Sequence, residues 1–203
     1  GVSKPPRPDL SAPILVYVGR LGKEKSLPLL IRAFSLVRKK MPASLVLVGD
    51  GPEREHLEEL AEALRVERYI TFTGFLPYQE VSEWYQRATV FVFSSEKETQ
   101  GMVMLEALAH GVPVVAVRSE ASEAIFNVCR AGCITESEPR AMAQGVLAIL
   151  SDPQALAQMS KEGLMYARRF SPERVAERME QVYQTAGAGI RSMIDRSYRS
   201  ESK

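Results

Sequence analysis

Glu98-Thr-Gln-Gly-Met-Val-Met-Leu-Glu106, continued by Ala107-Leu-Ala-His-Gly-Val-Pro-Val-Val-Ala116, is the stretch around which the chain is organised. It reads as a polar loop, a helix opening at Gly101, a Gly-Val-Pro turn and a buried strand. One carboxylate, Glu98, precedes the helix and a second, Glu106, lies inside it. Between them a helix N-terminus offers unpaired backbone N–H groups, where anions bind well. The stretch therefore suits a ligand with an anionic centre and hydroxyl groups on both sides.

Outward from this unit, strands and helices alternate. Ile14-Leu-Val-Tyr-Val-Gly19, Ser44-Leu-Val-Leu-Val-Gly49, Tyr69-Ile-Thr-Phe-Thr-Gly74, Thr89-Val-Phe-Val-Phe93 and Val112-Pro-Val-Val-Ala-Val117 read as strands buried on both faces, with a sixth at Cys133 to Thr135. Leu30, Ala33, Phe34, Val37 and Met41 recur at helical spacing after the first strand. Asp50-Gly51 leads into Pro52, read as the first residue of a helix carrying Leu57, Leu60, Ala61 and Leu64. Short helices are expected around Val81, Trp84 and Tyr85 and from Ser122 to Asn127. Three more are expected near 138–150, 153–169 and 172–186. The fold class is α/β: a Rossmann-like, doubly wound parallel sheet of about six strands. Ligands of such sheets bind at the carboxyl ends of the strands.

The chain of 203 residues is 45% hydrophobic and 25% charged, enough for one well-filled domain. A net charge of +1 gives no basic field for nucleic acid. The apolar runs are strand-length, too short to span a membrane. Cys129 and Cys133 stand without a second pair, read as free thiols in a reducing cytoplasm. Lys4-Pro-Pro-Arg-Pro8 reads as a linker, or equally as a frayed terminus.

Several side chains could carry chemistry. Arg20 and Lys25 follow the first strand in R-x4-K spacing, where both could reach one anion such as a diphosphate; a solvated basic loop is the alternative. Gly49-Asp-Gly-Pro-Glu-Arg54 begins like a dinucleotide fingerprint, but Arg54 stands where the third glycine belongs. No P-loop occurs. The four aspartates, Asp9, Asp50, Asp152 and Asp195, form no D-x-D pair for a metal, and no metal ligands are expected. Glu98 and Glu106 suit sugar hydroxyls as acceptors, or a glycosidase acid and base, or simply a loop and a helix surface. His56 and His110 have no evident Asp or Ser partner, which disfavours a catalytic triad.

These residues, taken in order, resemble the C-terminal, donor-binding domain of retaining nucleotide-sugar glycosyltransferases of the GT-B fold, the "group 1" family. The resemblance runs from Ile14 to about Gln184. It is carried by Val18-Gly-Arg-Leu21 with Glu24-Lys25, Val48-Gly-Asp-Gly-Pro-Glu53, Phe72-Thr-Gly-Phe75, E-x7-E at Glu98 and Glu106, Leu105 to Ala116, and Phe170-Ser-Pro-Glu-Arg174. It implies a hexose moved from a nucleoside diphosphate sugar to an acceptor hydroxyl with retention, without a metal or cofactor. Arg20 and Lys25 would hold and stabilise the leaving diphosphate, with Gly19 beside them on the donor side. Glu98 would hold the transferred sugar, and Glu106 the ribose hydroxyls. Gln100, Gly101, Met102 and Val103 would meet sugar and phosphate through backbone groups, and Phe75 would lie beside the nucleobase. UDP-glucose is the first expectation for the donor and GDP-mannose the second.

The resemblance also sets the expected organisation: residues 1–12 a linker from a missing N-terminal domain, 13–186 the donor domain, and 187–203 a tail. In the tail, Ile190, Met193 and Ile194 stand at helical spacing among Arg191, Arg196 and Arg199. The missing domain would hold the acceptor, a sugar, lipid or small molecule, so the isolated chain would bind donor with little or no turnover. A cytoplasmic location, no nucleic-acid partner and peripheral membrane contact by the full-length enzyme complete the expectation. Two departures stand out. Glu98-Thr-Gln-Gly101 replaces the common Glu-Gly-Phe-Gly, a variant resembling members that act on lipid or secondary-metabolite acceptors. Arg118-Ser-Glu-Ala-Ser-Glu123 replaces a glycine-rich turn. An NAD-type oxidoreductase domain and a non-catalytic Rossmann-like interaction module are the alternatives.

Overall fold

The computed structural model describes residues 10–170. Most of the expected linker, the helix over 172–186 and the tail over 187–203 lie outside them. The order is β1 (Ile14–Val18), α1 (Leu27–Arg38), β2 (Ser44–Val48), α2 (Arg54–Ala63), β3 (Ile70–Gly74), α3 (Tyr78–Arg87) and β4 (Val90–Phe93). It continues with α4 (Met102–Ala109), β5 (Val114–Val117), α5 (Glu120–Phe126), β6 (Gly132–Thr135), α6 (Pro139–Ser151) and α7 (Pro153–Ala167).

All six strands lie in one parallel sheet ordered β3-β2-β1-β4-β5-β6. The first three wind outward one way and the last three the other, the Rossmann-like arrangement expected. The direction reverses between β1 and β4, and the crevice outside their carboxyl ends is where such sheets take ligands. Every residue of β4 and β5 is buried, as are Leu15, Val16 and Tyr17 of β1. The chain builds these strands from Val, Phe and Ala because both faces carry helices. α1 buries Leu27, Leu30, Ile31, Phe34 and Val37 and packs beside α6, which buries Met142, Val146 and Ile149.

Pro52 is not the start of a helix; α2 begins at Arg54. The Arg54 N–H bonds back to the Gly51 carbonyl at 3.1 Å, which closes a tight turn over residues 51–54, and helical bonding is seen from the Leu57 N–H to the Glu53 carbonyl at 2.9 Å. The same turn is tied to the loop after β1: the Leu21 amide donates to the Asp50 carbonyl at 2.9 Å, and the Glu53 amide donates to the Leu21 carbonyl at 3.0 Å. The Asp50 carboxylate takes the Gly51 N–H at 2.7 Å. A Cβ on Gly49 would collide with the Gly19 carbonyl, so the two strand ends touch through backbone alone.

The helix expected from Ser122 starts earlier, at Glu120, because Ser119 caps it. The Ser119 hydroxyl accepts the Ser122 N–H at 3.1 Å, and the Ser122 hydroxyl accepts the Ser119 N–H at 2.8 Å. Both serines are buried, so water cannot replace the bonds. Ser119→Ala is expected to destabilise the domain by about 1 kcal/mol, read as a lower urea midpoint at unchanged m-value; an unmoved midpoint would show that the cap contributes nothing.

Candidate functional site at the ends of the first and fourth strands

Two segments meet at the crevice. The first leaves β1 through Gly19 and the exposed Arg20 and folds into a 3-10 turn at Lys23–Lys25. The second leaves β4 through Ser94 and Ser95. Both serines are buried and point across to the first segment: Ser94 Oγ donates to the Lys25 carbonyl at 2.6 Å, and Ser95 Oγ to the Glu24 carbonyl at 3.0 Å. Two short polar side chains directly after an apolar strand thereby fix the backbone on which Lys25 sits.

Lys25 Nζ lies 3.1 Å from Glu98 Oε2 and 5.6 Å from the centroid of the Phe93 ring. The other carboxylate oxygen, Glu98 Oε1, accepts the Gly101 N–H at 3.1 Å. The Glu98 carbonyl accepts the Ala121 N–H at the start of α5, also at 3.1 Å. One glutamate therefore joins a cation, the entry to α4 and the entry to α5. Burial raises the Glu98 carboxyl's pKa, but the Gly101 N–H and the Lys25 ammonium outweigh that and hold it below its ordinary 4.5.

Gly101 makes the geometry possible. It caps α4 with φ 68°, a left-handed conformation. A Cβ there would stand 2.9 Å from Met104 Cε and 3.1 Å from Ala121 Cβ. Gln100 and Met102 flank it at the surface, Val103 is half-buried, and Phe75 is 86% exposed just beyond β3. The structure thus brings Lys25, Glu98 and Gly101 into direct contact. Arg20 sits on the same strand end and makes no ion pair among the described residues.

Glu106 lies along α4. Its Oε2 accepts from the buried Tyr85 hydroxyl of α3 at 3.0 Å. His110, at the end of α4, has the serine partner that the sequence did not reveal: Ser82 Oγ lies 2.9 Å from its Nε2. Its Nδ1 lies 2.8 Å from the Glu106 backbone carbonyl, an acceptor, so Nδ1 carries the proton and Nε2 accepts from Ser82. This histidine pins α3 to α4. The sequence likewise shows Tyr17 only as a strand residue. It stacks on Phe93 with centroids 6.1 Å apart and donates from its hydroxyl to the Arg20 carbonyl at 3.0 Å. Burial pushes its pKa up, so it remains a neutral donor. The contacts of Ser82 with His110, of Tyr85 with Glu106 and of Tyr17 with Phe93 join elements distant along the chain, so residue spacing does not show them. No group of three or more His, Cys, Asp or Glu that could hold a metal occurs among the described residues.

Such a site can take an anion on Lys25 and on the backbone of the α4 entrance, and hydroxyl donors on two carboxylates. The family model for group 1 glycosyl transferases matches residues 3–166. The chain belongs to the group 1 glycosyltransferases. It is 30% identical over 171 residues to an alpha-monoglucosyldiacylglycerol synthase of Acholeplasma laidlawii, covering 84% of this chain and 43% of that protein. Sucrose-phosphate synthase from Thermosynechococcus elongatus has the same fold, with TM-score 0.77 at 28% identity, over 89% of this chain and 47% of that one. Anabaena HepE, solved with UDP and glucose, superimposes with TM-score 0.74 at 22% identity, over 84% of this chain and 48% of that one. The chain spans less than half the length of the curated relatives it matches first.

Gly101→Ala forces an L-residue into the left-handed region against Met104 and Ala121, and is expected to cost about 1–2 kcal/mol in urea melts; an unchanged stability would contradict the strain. Glu98 contributes stability above pH 4.5 that is lost as pH falls through its lowered folded value. Stability of the native chain should therefore fall more steeply below that pH than stability of Glu98→Gln. Parallel pH curves would contradict it.

Proposed function

We propose that this domain binds the donor of a hexosyl transfer, a nucleoside diphosphate sugar, and that the whole enzyme moves the hexose to an acceptor hydroxyl with retention. The observation that carries the reading is the Glu98 carboxylate held between Lys25 Nζ and the Gly101 N–H. An ammonium and a helix-entry amide are what a phosphate group seeks. Here they are occupied by an internal anion, which a diphosphate can displace.

The chemistry follows from charge. As the bond from the anomeric carbon to the diphosphate oxygen breaks, its electron pair leaves with the diphosphate. Lys25, Arg20 and the backbone at Gly101 stabilise that developing charge. The acceptor hydroxyl attacks from the face the leaving group vacates, and its proton passes to the departing phosphate oxygen. No protein nucleophile is needed, and no metal is invoked. Glu98, released from Lys25, accepts from hydroxyls of the transferred sugar, and Glu106 from those of the ribose. The exposed Phe75 gives the nucleobase an apolar face beside the strand ends. Gly19, Gln100, Met102 and Val103 complete the donor side through backbone contacts.

UDP-glucose is the proposed donor. The UDP and glucose bound to Anabaena HepE support it, as does the glucosyl group in the name of the Acholeplasma relative. The diacylglycerol in that name supports a lipid acceptor, and with it peripheral membrane contact by the whole enzyme in the cytoplasm. Among the described residues no helix is long and apolar enough to cross a membrane. Arg54 is engaged by Glu58 at 2.9 Å and Asp50 at 3.7 Å, which leaves it no resemblance to the third glycine of a dinucleotide site.

A thermal-shift screen of UDP, GDP and ADP and their sugars should show stabilisation by UDP and UDP-glucose, unchanged by a chelator. Silence from all of them would refute the reading. In calorimetry, Lys25→Ala should weaken diphosphate binding by about 1.5–3 kcal/mol, as losing a charged hydrogen bond does. Glu98→Gln removes the internal competitor. It should bind free UDP at least as well as the native protein and lose the preference for UDP-glucose over UDP. A loss of UDP affinity in Glu98→Gln would show that the glutamate does not compete with phosphate.

A further inference from the structure

Tyr85 is an unusual residue to find beneath an acceptor carboxylate. The sequence places it on α3, whose other residues are largely polar, yet it is only 1% exposed. Its ring is clamped from two sides. Phe91 of β4 lies 5.8 Å away at a tilt of 42°, and the His110 ring stacks at 5.1 Å and 21°. His110 is itself held at both nitrogens, by Ser82 and by the Glu106 backbone carbonyl. The phenol oxygen therefore has little freedom. It lies 3.0 Å from Glu106 Oε2 and 3.3 Å from the Val103 carbonyl, with one proton to give. The charged, nearer carboxylate is the stronger acceptor. Burial raises the phenol's pKa, with the Glu106 charge adding to it, so the proton stays on the tyrosine.

Glu106 is half-buried, with three rotatable bonds in its side chain. Left alone it would sample several rotamers, and a bound ligand would have to order it. We propose that Tyr85 is a positioning residue for Glu106: its phenol fixes one carboxylate oxygen so that the other is presented, ready oriented, to the vicinal hydroxyls of the donor ribose. This rests on the donor reading above and extends it to a residue that touches no ligand. A tyrosine that only filled the core would meet the same aromatic neighbours without its hydroxyl.

The test separates positioning from packing by its readout. On the whole protein, calorimetry compares UDP with 2′,3′-dideoxy-UDP, and GDP with its dideoxy form in parallel. The native protein should prefer the ribose form. Tyr85→Phe keeps the ring and should weaken the ribose form about fivefold, as losing one ordering hydrogen bond does, with the dideoxy form unchanged. In a Glu106→Ala background, Tyr85→Phe should have no further effect on the preference. Because the preference is a ratio within one variant, partial unfolding cancels from it. A Tyr85→Phe protein that keeps the native ratio overturns the proposal, whether or not both affinities fall. A native protein that fails to distinguish ribose from dideoxyribose, or binds neither diphosphate, overturns instead the ligand assigned to Glu106, and the role of Tyr85 falls with it.

Discussion

The two-sided grip of Glu98 on Lys25 and on the Gly101 amide is the interaction on which the site depends. It spans the topological switch of the sheet, joining the segment that leaves β1 to the one that leaves β4. Each neighbouring feature supports it. Ser94 and Ser95 hold the backbone of Lys25 and Glu24, the α5 entry holds the Glu98 carbonyl, and the left-handed Gly101 aims an amide at the carboxylate. Because the serines are buried, their bonds are not shared with water, and the lysine has a fixed base from which to work.

Magnitudes explain why such a grip can hold a site without locking it. The Lys25 and Glu98 side chains retain 22% and 18% of their exposure. The pair is mostly buried yet still reached by water, and a charge-assisted bond of this kind contributes about 1.5–3 kcal/mol. A diphosphate forms bonds of the same kind and carries more charge than one carboxylate, so under the proposed function it competes with Glu98 for Lys25 and the helix entrance. In that proposal Glu98 is a placeholder that, once freed, accepts from sugar hydroxyls.

Much of the sheet was legible because buried parallel strands read as unbroken apolar runs. Val90-Phe-Val-Phe93 and Val114-Val-Ala-Val117 could be little else. The E-x7-E spacing and the glycine at 101 likewise marked the loop-to-helix unit. What the sequence hid were contacts between elements distant along the chain. Tyr85 stood out only as one apolar position in a short helix, and nothing near it announced Glu106. Ser82 and His110 lie far apart in sequence, so their bond waits on α3 docking against α4. The start of α2 is hidden for a different reason. Pro52 favours a first helical turn locally, but the Arg54 N–H closes a tight turn on the Gly51 carbonyl, and the Glu53 N–H anchors that turn to the Leu21 carbonyl beyond β1. A proline alone does not tell such a turn from the first turn of a helix.

If the site is held ready by its own carboxylate and opened by a nucleoside diphosphate, a crystal structure of the protein with UDP will show it. Lys25 Nζ is expected on a phosphate oxygen, the Gly101 amide turned to the diphosphate, and Glu98 parted from both. A structure in which UDP is bound while the contacts of Glu98 with Lys25 and Gly101 remain intact would contradict it.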